Sequence, residues 1–200
     1  MTAPATTAVR PDGRLERSRR TREAVVDALL ALQEEGDLAP SGHRVASRAG
    51  VSPRTVYLHF ADMEALFVEA GDRFLAKLAA VGVPVPVAAP LAERIARFCD
   101  RRAQVLETLL PVYRGSRLRQ PFSAALQANR DRYVRSSDDE IDAVFGPELS
   151  ARSVDDRERL RAALYVATCS ASWDALRDDR GLDVAGATAV LRHLVVGLLS

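Results

Sequence analysis

The segment from His43 to Phe60 constrains the fold of this chain more than any other. It reads His43-Arg44-Val45-Ala46-Ser47-Arg48-Ala49-Gly50-Val51-Ser52-Pro53-Arg54-Thr55-Val56-Tyr57-Leu58-His59-Phe60. Val45, Ala46 and Ala49 recur at the spacing of one helical face. The two alanines are small, so a second helix can come close. Gly50 can take positive φ at low cost, which lets the chain turn sharply there. Val51 is placed to fill the corner. Ser52 suits a helix N-cap, and the fixed φ of Pro53 suits the first helical position. Val56 and Phe60, four residues apart, bury the second helix against the first. Two short helices joined at a fixed angle are the expected outcome.

That packing leaves Arg54, Thr55, Tyr57 and His59 on the open side. A short, braced helix that presents polar side chains away from the protein meets the demands of the DNA major groove. Arg54 can offer two donors to guanine O6 and N7. Thr55, Tyr57 and His59 can donate to phosphate oxygens. The helix N-terminus adds partial positive charge.

Net charge is only +1, so attraction to nucleic acid must come from local clustering. Arg10, Arg14, Arg17, Arg19, Arg20 and Arg22 face only Asp12 and Glu16 in their stretch. Arg44, Arg48 and Arg54 have no acid among them between residues 38 and 61. A basic face can exist on a nearly neutral domain, and it would supply the salt-dependent part of affinity. Lys77 is the only lysine, and a compositional bias toward arginine accounts for most of the rest.

The residues that form this motif also carry a resemblance. Val45-Ala46, Ala49-Gly50-Val51-Ser52, Thr55-Val56-Tyr57, His59-Phe60 and Glu64-Ala65-Leu66-Phe67 resemble the DNA-binding domain of TetR-family regulators. The likeness spans about residues 17 to 75, with Thr21-Arg22 opening the first helix. It implies DNA contacts from Arg44, Ser52, Arg54, Thr55, Tyr57 and His59, and Arg22 joins them from the basic arm. It also implies a homodimer, usually a repressor, on a near-palindromic double-stranded operator, released by an unidentified small-molecule effector. Met63 departs from the pattern, which often has lysine before the glutamate opening the fourth helix. A phosphate contact at that helix end is then missing, or falls to the Met63 backbone N–H.

Helical periodicity continues along the chain, with no sustained alternation and no hairpin pair, so the expected fold is all-α. Residues 1–13, rich in Ala, Thr and Pro, should form a disordered tail. A helix from near Leu15 or Ser18 to Glu35 buries Val25, Ala28, Leu29 and Leu32, and Gly36 stops it. Ser41 can cap the next helix. Three-helix DNA-binding architecture over 14–81 gives way at Gly82-Val83-Pro84-Val85-Pro86, a proline-rich link. An all-helical effector and dimerisation domain is expected over 82–200. There, Pro111 should end or kink a helix, Pro121 should open one, and Gly146-Pro147 should mark a turn. Asp155 to Leu176 reads as one long helix and Val184 to Leu199 as the last.

Phe98, Cys99, Tyr113, Tyr133, Tyr165 and Trp173 are candidates to line an effector cavity, with a filled core as the competing reading. Trp173 and Asp174 could instead sit near a dimer seam. Leu160, Leu164, Ala167, Ala171, Leu191, Leu194, Val195 and Leu198 are candidates for a dimeric four-helix bundle. Arg94, Arg97, Arg101 and Arg102 read as a solvated helix face or an anion site, and His193 as structural. Cys99 and Cys169 are far apart and read as buried hydrophobes in a reducing compartment. No enzyme chemistry, cofactor or metal is expected: a phosphate loop, a paired-histidine motif and a nucleophile elbow are all missing. No leader and no membrane span are expected, which places the protein in the cytoplasm. The rival readings are a DNA-binding activator or architectural protein without an inducer, and a helical module that does not bind DNA.

Overall fold

In the computed structural model, residues 13–37 and 39–200 are described. The tail expected over 1–13 lies outside them, except for Gly13, which begins the first helix. The regular secondary structure of the described residues is all helical, without strands. The elements are α1 (Gly13–Glu34), α2 (Gly42–Ala49), α3 (Pro53–His59), α4 (Met63–Ala79), α5 (Leu91–Arg117), α6 (Ala124–Ser150), α7 (Val154–Ala167), α8 (Ser170–Asp174) and α9 (Val184–Leu199). A 3₁₀ turn, Gln120–Phe122, precedes α6, and a π-helical turn, Ala175–Asp179, follows α8.

Local signals set the first four helices. Gly36 is at φ 87°, and its N–H and that of Asp37 close back onto Gln33 and Leu32. Ser41, Ser52 and Asp62 each accept a hydrogen bond from the amide three residues on, capping α2, α3 and α4. Gly50 sits at φ 68° and ends α2, with the Val51 amide returning to the Ala46 carbonyl. Only Gly takes that backbone conformation without strain. Val25, Leu29, Val45, Ala46, Val56, Phe60 and Leu66 fill the core between these helices. Val105 and Leu109 of α5 and Ala125 of α6 complete it.

The second core gathers Ile95, Phe98, Leu106 and Leu110 of α5 with Ile141 and Phe145 of α6, Leu164, Trp173, and Leu191 and Val195 of α9. Helix α5 therefore serves both cores, Val105 and Leu109 facing one and Leu106 and Leu110 the other. This explains why Pro111 does not end it. Proline removes one helical hydrogen bond, and a helix packed on both sides carries on through that loss to Arg117.

Three other expectations are corrected. The helix near Pro121 starts later: Pro121 lies in the 3₁₀ turn, and Ser123 caps α6 through the Leu126 amide at 3.1 Å. Gly146-Pro147 does not form a turn. The chain kinks at Phe145 (φ −114°, ψ 18°), since Pro147 cannot donate, and α6 resumes because Val144, Phe145 and Leu149 all bury into the same core. The single helix expected from Asp155 to Leu176 is broken at Thr168 and Cys169. Buried Arg102 of α5 stabilises the break by donating from Nε to the freed Thr168 carbonyl at 2.9 Å.

The run Arg94 to Arg102 is also not a solvated face. Arg94 is 5% and Arg102 2% exposed. Arg94 pairs with Glu148 at 2.5 Å and donates to the Ala89 carbonyl at 3.0 Å. Arg102 adds Ser137 Oγ at 3.0 Å and Glu140 at 3.5 Å. The Arg94 guanidinium holds the Glu148 carboxyl below its usual range. Only Arg97 of the four is exposed. His193 is exposed on α9 rather than built into the core.

Candidate nucleic-acid interface and effector cavity

Helix α3 has only seven residues, so its placement depends on its ends. Ser52 Oγ accepts from the Thr55 amide at 3.1 Å and lies 2.8 Å from Thr55 Oγ1. Val56 and Phe60 are buried, as their spacing predicts. Arg54 is exposed and has no ion-pair partner among the described residues. Tyr57 is half-exposed, and its hydroxyl lies over Gly42 at the start of α2, where a Cβ would come within 2.7 Å of it. A side chain at Gly42 would displace the ring. Met63, the departure from the family pattern, packs beside the same spot, and Asp62 caps α4 there through the Ala65 amide at 2.8 Å.

The other candidates are already engaged. Arg44 pairs with Asp37 at 2.7 Å yet keeps most of its side chain in solvent. Arg48 pairs with Glu35, the Arg48 guanidinium holding that carboxyl below its usual range. Arg22 is only partly solvated: it lies 4.2 Å over the Phe60 ring, donates to Glu69 Oε2 at 2.7 Å and reaches the His59 carbonyl. It clamps α1 to α4 and to the end of α3. Arg19 and Arg20 both pair with Glu16, so the arm is less basic than its count of arginines implies.

Leu58 was not among the expected contact residues. It is 81% exposed, the least covered apolar side chain on the helix-turn-helix. Its spacing from Arg54, four residues on one helix, was the signal available. An exposed leucine there can meet the thymine methyl group.

The aromatic candidates divide. Tyr113, Tyr133 and Tyr165 line a cavity of about 450 Å³. Phe98, Cys99 and Trp173 do not; they belong to the second core. Phe98 meets Phe145 edge to face at 5.0 Å. Burial pushes the Cys99 thiol up to about 12. Trp173 is fully buried and donates to Glu107 at 2.7 Å, while Asp174 pairs with Arg114 at 2.7 Å, so neither forms an open seam. Cys169, read as buried, is partly exposed and lines the cavity. Helices α1 and α4 contribute Gln33, Phe67 and Phe74 to its wall. The cavity thus borders the helix that follows α3.

The α4 to α6 contact is tightly bonded. Glu64 accepts from Ser123 Oγ at 2.9 Å and from the Ala125 amide at 3.0 Å. Asn129 donates to the Phe67 carbonyl at 2.9 Å and lies where a side chain on Gly71 would be.

Four of the candidate dimer residues, Leu164, Ala167, Leu191 and Val195, are buried within the chain itself. Their apolar faces pack against α5 and α6 rather than waiting for a second copy. Ala171 and Leu194 are exposed, Leu160 and Leu198 partly so, and Val166 and Val196 add further exposed apolar surface.

Among the described residues there is no cluster of histidine, cysteine or carboxylate side chains able to hold a metal. No described helix is long and apolar enough to cross a membrane.

Residues 31–70 match the family model for bacterial regulatory proteins of the tetR family. No curated protein sequence matches the chain. A transcriptional regulator from Rhodococcus sp. Rha1 shares the fold at TM-score 0.61 and 21% identity, over 91% of this chain and 95% of that one. A protein from Rhodococcus sp. assigned to the TetR family aligns at TM-score 0.64 and 20% identity, over 90% and 99% of the two chains. A TetR-like regulator from Rhodococcus sp. RHA1 aligns at TM-score 0.52 and 20% identity, over 90% and 93%. At such identities these likenesses establish the shared all-α fold. The family match is centred on the capped helix-turn-helix, so residues 31–70 are similar to the corresponding segment of bacterial regulatory proteins of the tetR family.

Proposed function

We propose that the protein is a homodimeric repressor that binds a near-palindromic DNA operator through α3 and releases it when a small molecule fills the cavity. The observation that carries this reading is the double duty of α4. Its N-terminal end packs beside Tyr57 through Met63, and its body forms a wall of the cavity through Phe67, Ala70 and Phe74. A ligand that fits one position of α4 better than another biases where α3 sits. Ligand then weakens DNA binding by the factor by which DNA weakens ligand binding.

In this reading Arg54, Leu58 and Thr55 meet base edges, and Ser52, Tyr57, His59 and Arg44 meet phosphates. Arg22 acts mainly by holding the end of α3. The DNA-binding unit spans 14–81 and the effector unit 82–200, with α5 shared between their cores. The dimer seam uses the outward apolar side chains of α7 and α9, notably Val166, Leu194 and Val196. Two copies then place two α3 helices on successive major grooves. The protein would act in the cytoplasm, where its DNA is. The cavity of about 450 Å³ favours an effector-responsive regulator over an activator without an inducer.

The test is footprinting of genomic fragments with purified protein. Protection should be two-fold symmetric, as a dimer requires. Arg54→Ala combined with Tyr57→Ala should remove it while circular dichroism stays unchanged. Protection by the double variant equal to that of the parent would refute the reading.

A further inference from the structure

The cavity has a definite chemical polarity. Its body is apolar, with Leu30, Phe67, Phe74, Leu109 and Val112 among its walls. Arg117 and Arg130 also line it, and none of the lining residues is acidic. Arg117 is partly occupied: Asp174 lies 3.8 Å away and the Tyr113 ring 5.6 Å. Arg130 has no ion-pair partner among the described residues.

Tyr113, Tyr133 and Tyr165 add hydroxyl groups to the lining. The positive charge of Arg130 acts on both Tyr113 and Tyr165, and Tyr165 also feels Tyr133. Burial raises the pKa of Tyr113 and of Tyr165, so both stay protonated donors near neutral pH. Tyr133 is the decisive residue. Tyr133 lines the cavity, and its hydroxyl is buried and has no hydrogen-bond partner. A buried hydroxyl left unpaired is destabilising, and a bound acceptor would relieve that cost. An unpaired cation and an unpaired buried donor among the lining of an otherwise apolar chamber call for an anion on an apolar body.

We propose that the cavity binds an amphipathic monocarboxylate. Its hydrocarbon or aromatic body lies against Phe67, Phe74 and Leu109. Its carboxylate accepts from Arg130 and from the tyrosine hydroxyls, Tyr133 first. A planar guanidinium matches a carboxylate with two parallel hydrogen bonds. This deepens the ligand-gated reading and rests on it for its biological role, but binding itself can be measured without DNA.

The experiment is titration calorimetry of the full chain, free of DNA, with three ligands of one body, decanoate, decan-1-ol and decylamine. A second set uses 2-naphthoate with its alcohol and amine. At least one acid should bind about tenfold more tightly than its alcohol, as one charge-assisted hydrogen bond predicts, and the amine more weakly still. Arg130→Gln, on an exposed side chain that leaves the fold intact, should erase that preference while alcohol binding stays the same. Tyr133→Phe should weaken the acid about threefold or more and spare the alcohol. The proposal is overturned if no acid binds, if the alcohols match the acids in both sets, or if Arg130→Gln leaves the acid unchanged. Failure here leaves the footprinting result standing, and failed footprinting leaves this one standing.

Discussion

The two cores of this molecule are held in different ways. Around the first, the geometry of each short helix is set by residues within a few positions of its ends: Ser41, Ser52 and Asp62 as caps, Gly36 and Gly50 as stops. Around the second, buried charge fixes elements far apart in sequence. Arg102 reaches 66 residues along the chain to the Thr168 carbonyl, and Arg94 reaches 54 to Glu148. Local devices suit a part that must present a rigid surface from very little chain. Long-range ones suit a part assembled from distant stretches of chain, where interlocking apolar side chains cannot do the whole task.

If that contrast holds, the largest single loss of stability lies in the second core. Arg102→Met keeps volume but strands the Thr168 carbonyl, leaves Ser137 Oγ only its bond to the Tyr133 carbonyl and leaves Glu140 to Arg101 alone. Removing one partner from such a buried network costs about 3 kcal/mol. Urea unfolding should show it, and the tyrosine-lined cavity should lose ligand affinity as the α7–α8 break loosens. A cost below about 1 kcal/mol would mean that packing alone sets the break, and the contrast would collapse.

A smaller effect belongs to the first core. Ser52→Ala removes the cap of α3 and should cost about 1 kcal/mol of stability. Its effect on DNA affinity should be larger than that figure implies, because the same change frees Thr55 Oγ1 and loosens the start of the reading helix. Unfolding and operator binding measured on one preparation separate the two. Equal losses in both would show that the cap supports folding only.

The same contrast explains what the sequence could reveal. Caps, the Gly50 turn and the Val56–Phe60 spacing are local, and each was readable from its neighbours. The interruption at Thr168 was not, because Thr168-Cys169-Ser170 contains neither glycine nor proline, and the guanidinium that stabilises it lies on another helix. Pro111 misled in the other direction: its local rule is sound, but burial on two sides overrode it. The dimer candidates divided between buried and exposed for a related reason. Periodicity marks a buried face on α7 and α9, and it cannot say whether the chain itself or a second copy covers it. The cavity split its six aromatic and cysteine candidates evenly, since only packing decides whether Tyr133 meets space and Phe98 meets Phe145.

The weakest effect on stability should accompany a clear effect on DNA binding, at the pair between Asp37 and Arg44. Asp37→Asn keeps Oδ1 as an acceptor for the Ala39 amide, at 3.1 Å, and removes only the charge facing Arg44. Arg44 is largely in solvent, so the pair adds under about 0.5 kcal/mol to folding, and the unfolding midpoint should barely move. On DNA the balance changes. A guanidinium held by its own carboxylate is a poor partner for phosphate, because that attraction must first be given up. Freed, Arg44 can neutralise one more phosphate, so affinity should rise at low salt. The slope of log affinity against log salt should steepen by about 1. Titrations at several salt concentrations decide the matter: an unchanged slope would mean that Arg44 does not touch the backbone, and the working surface would shrink to α3 itself.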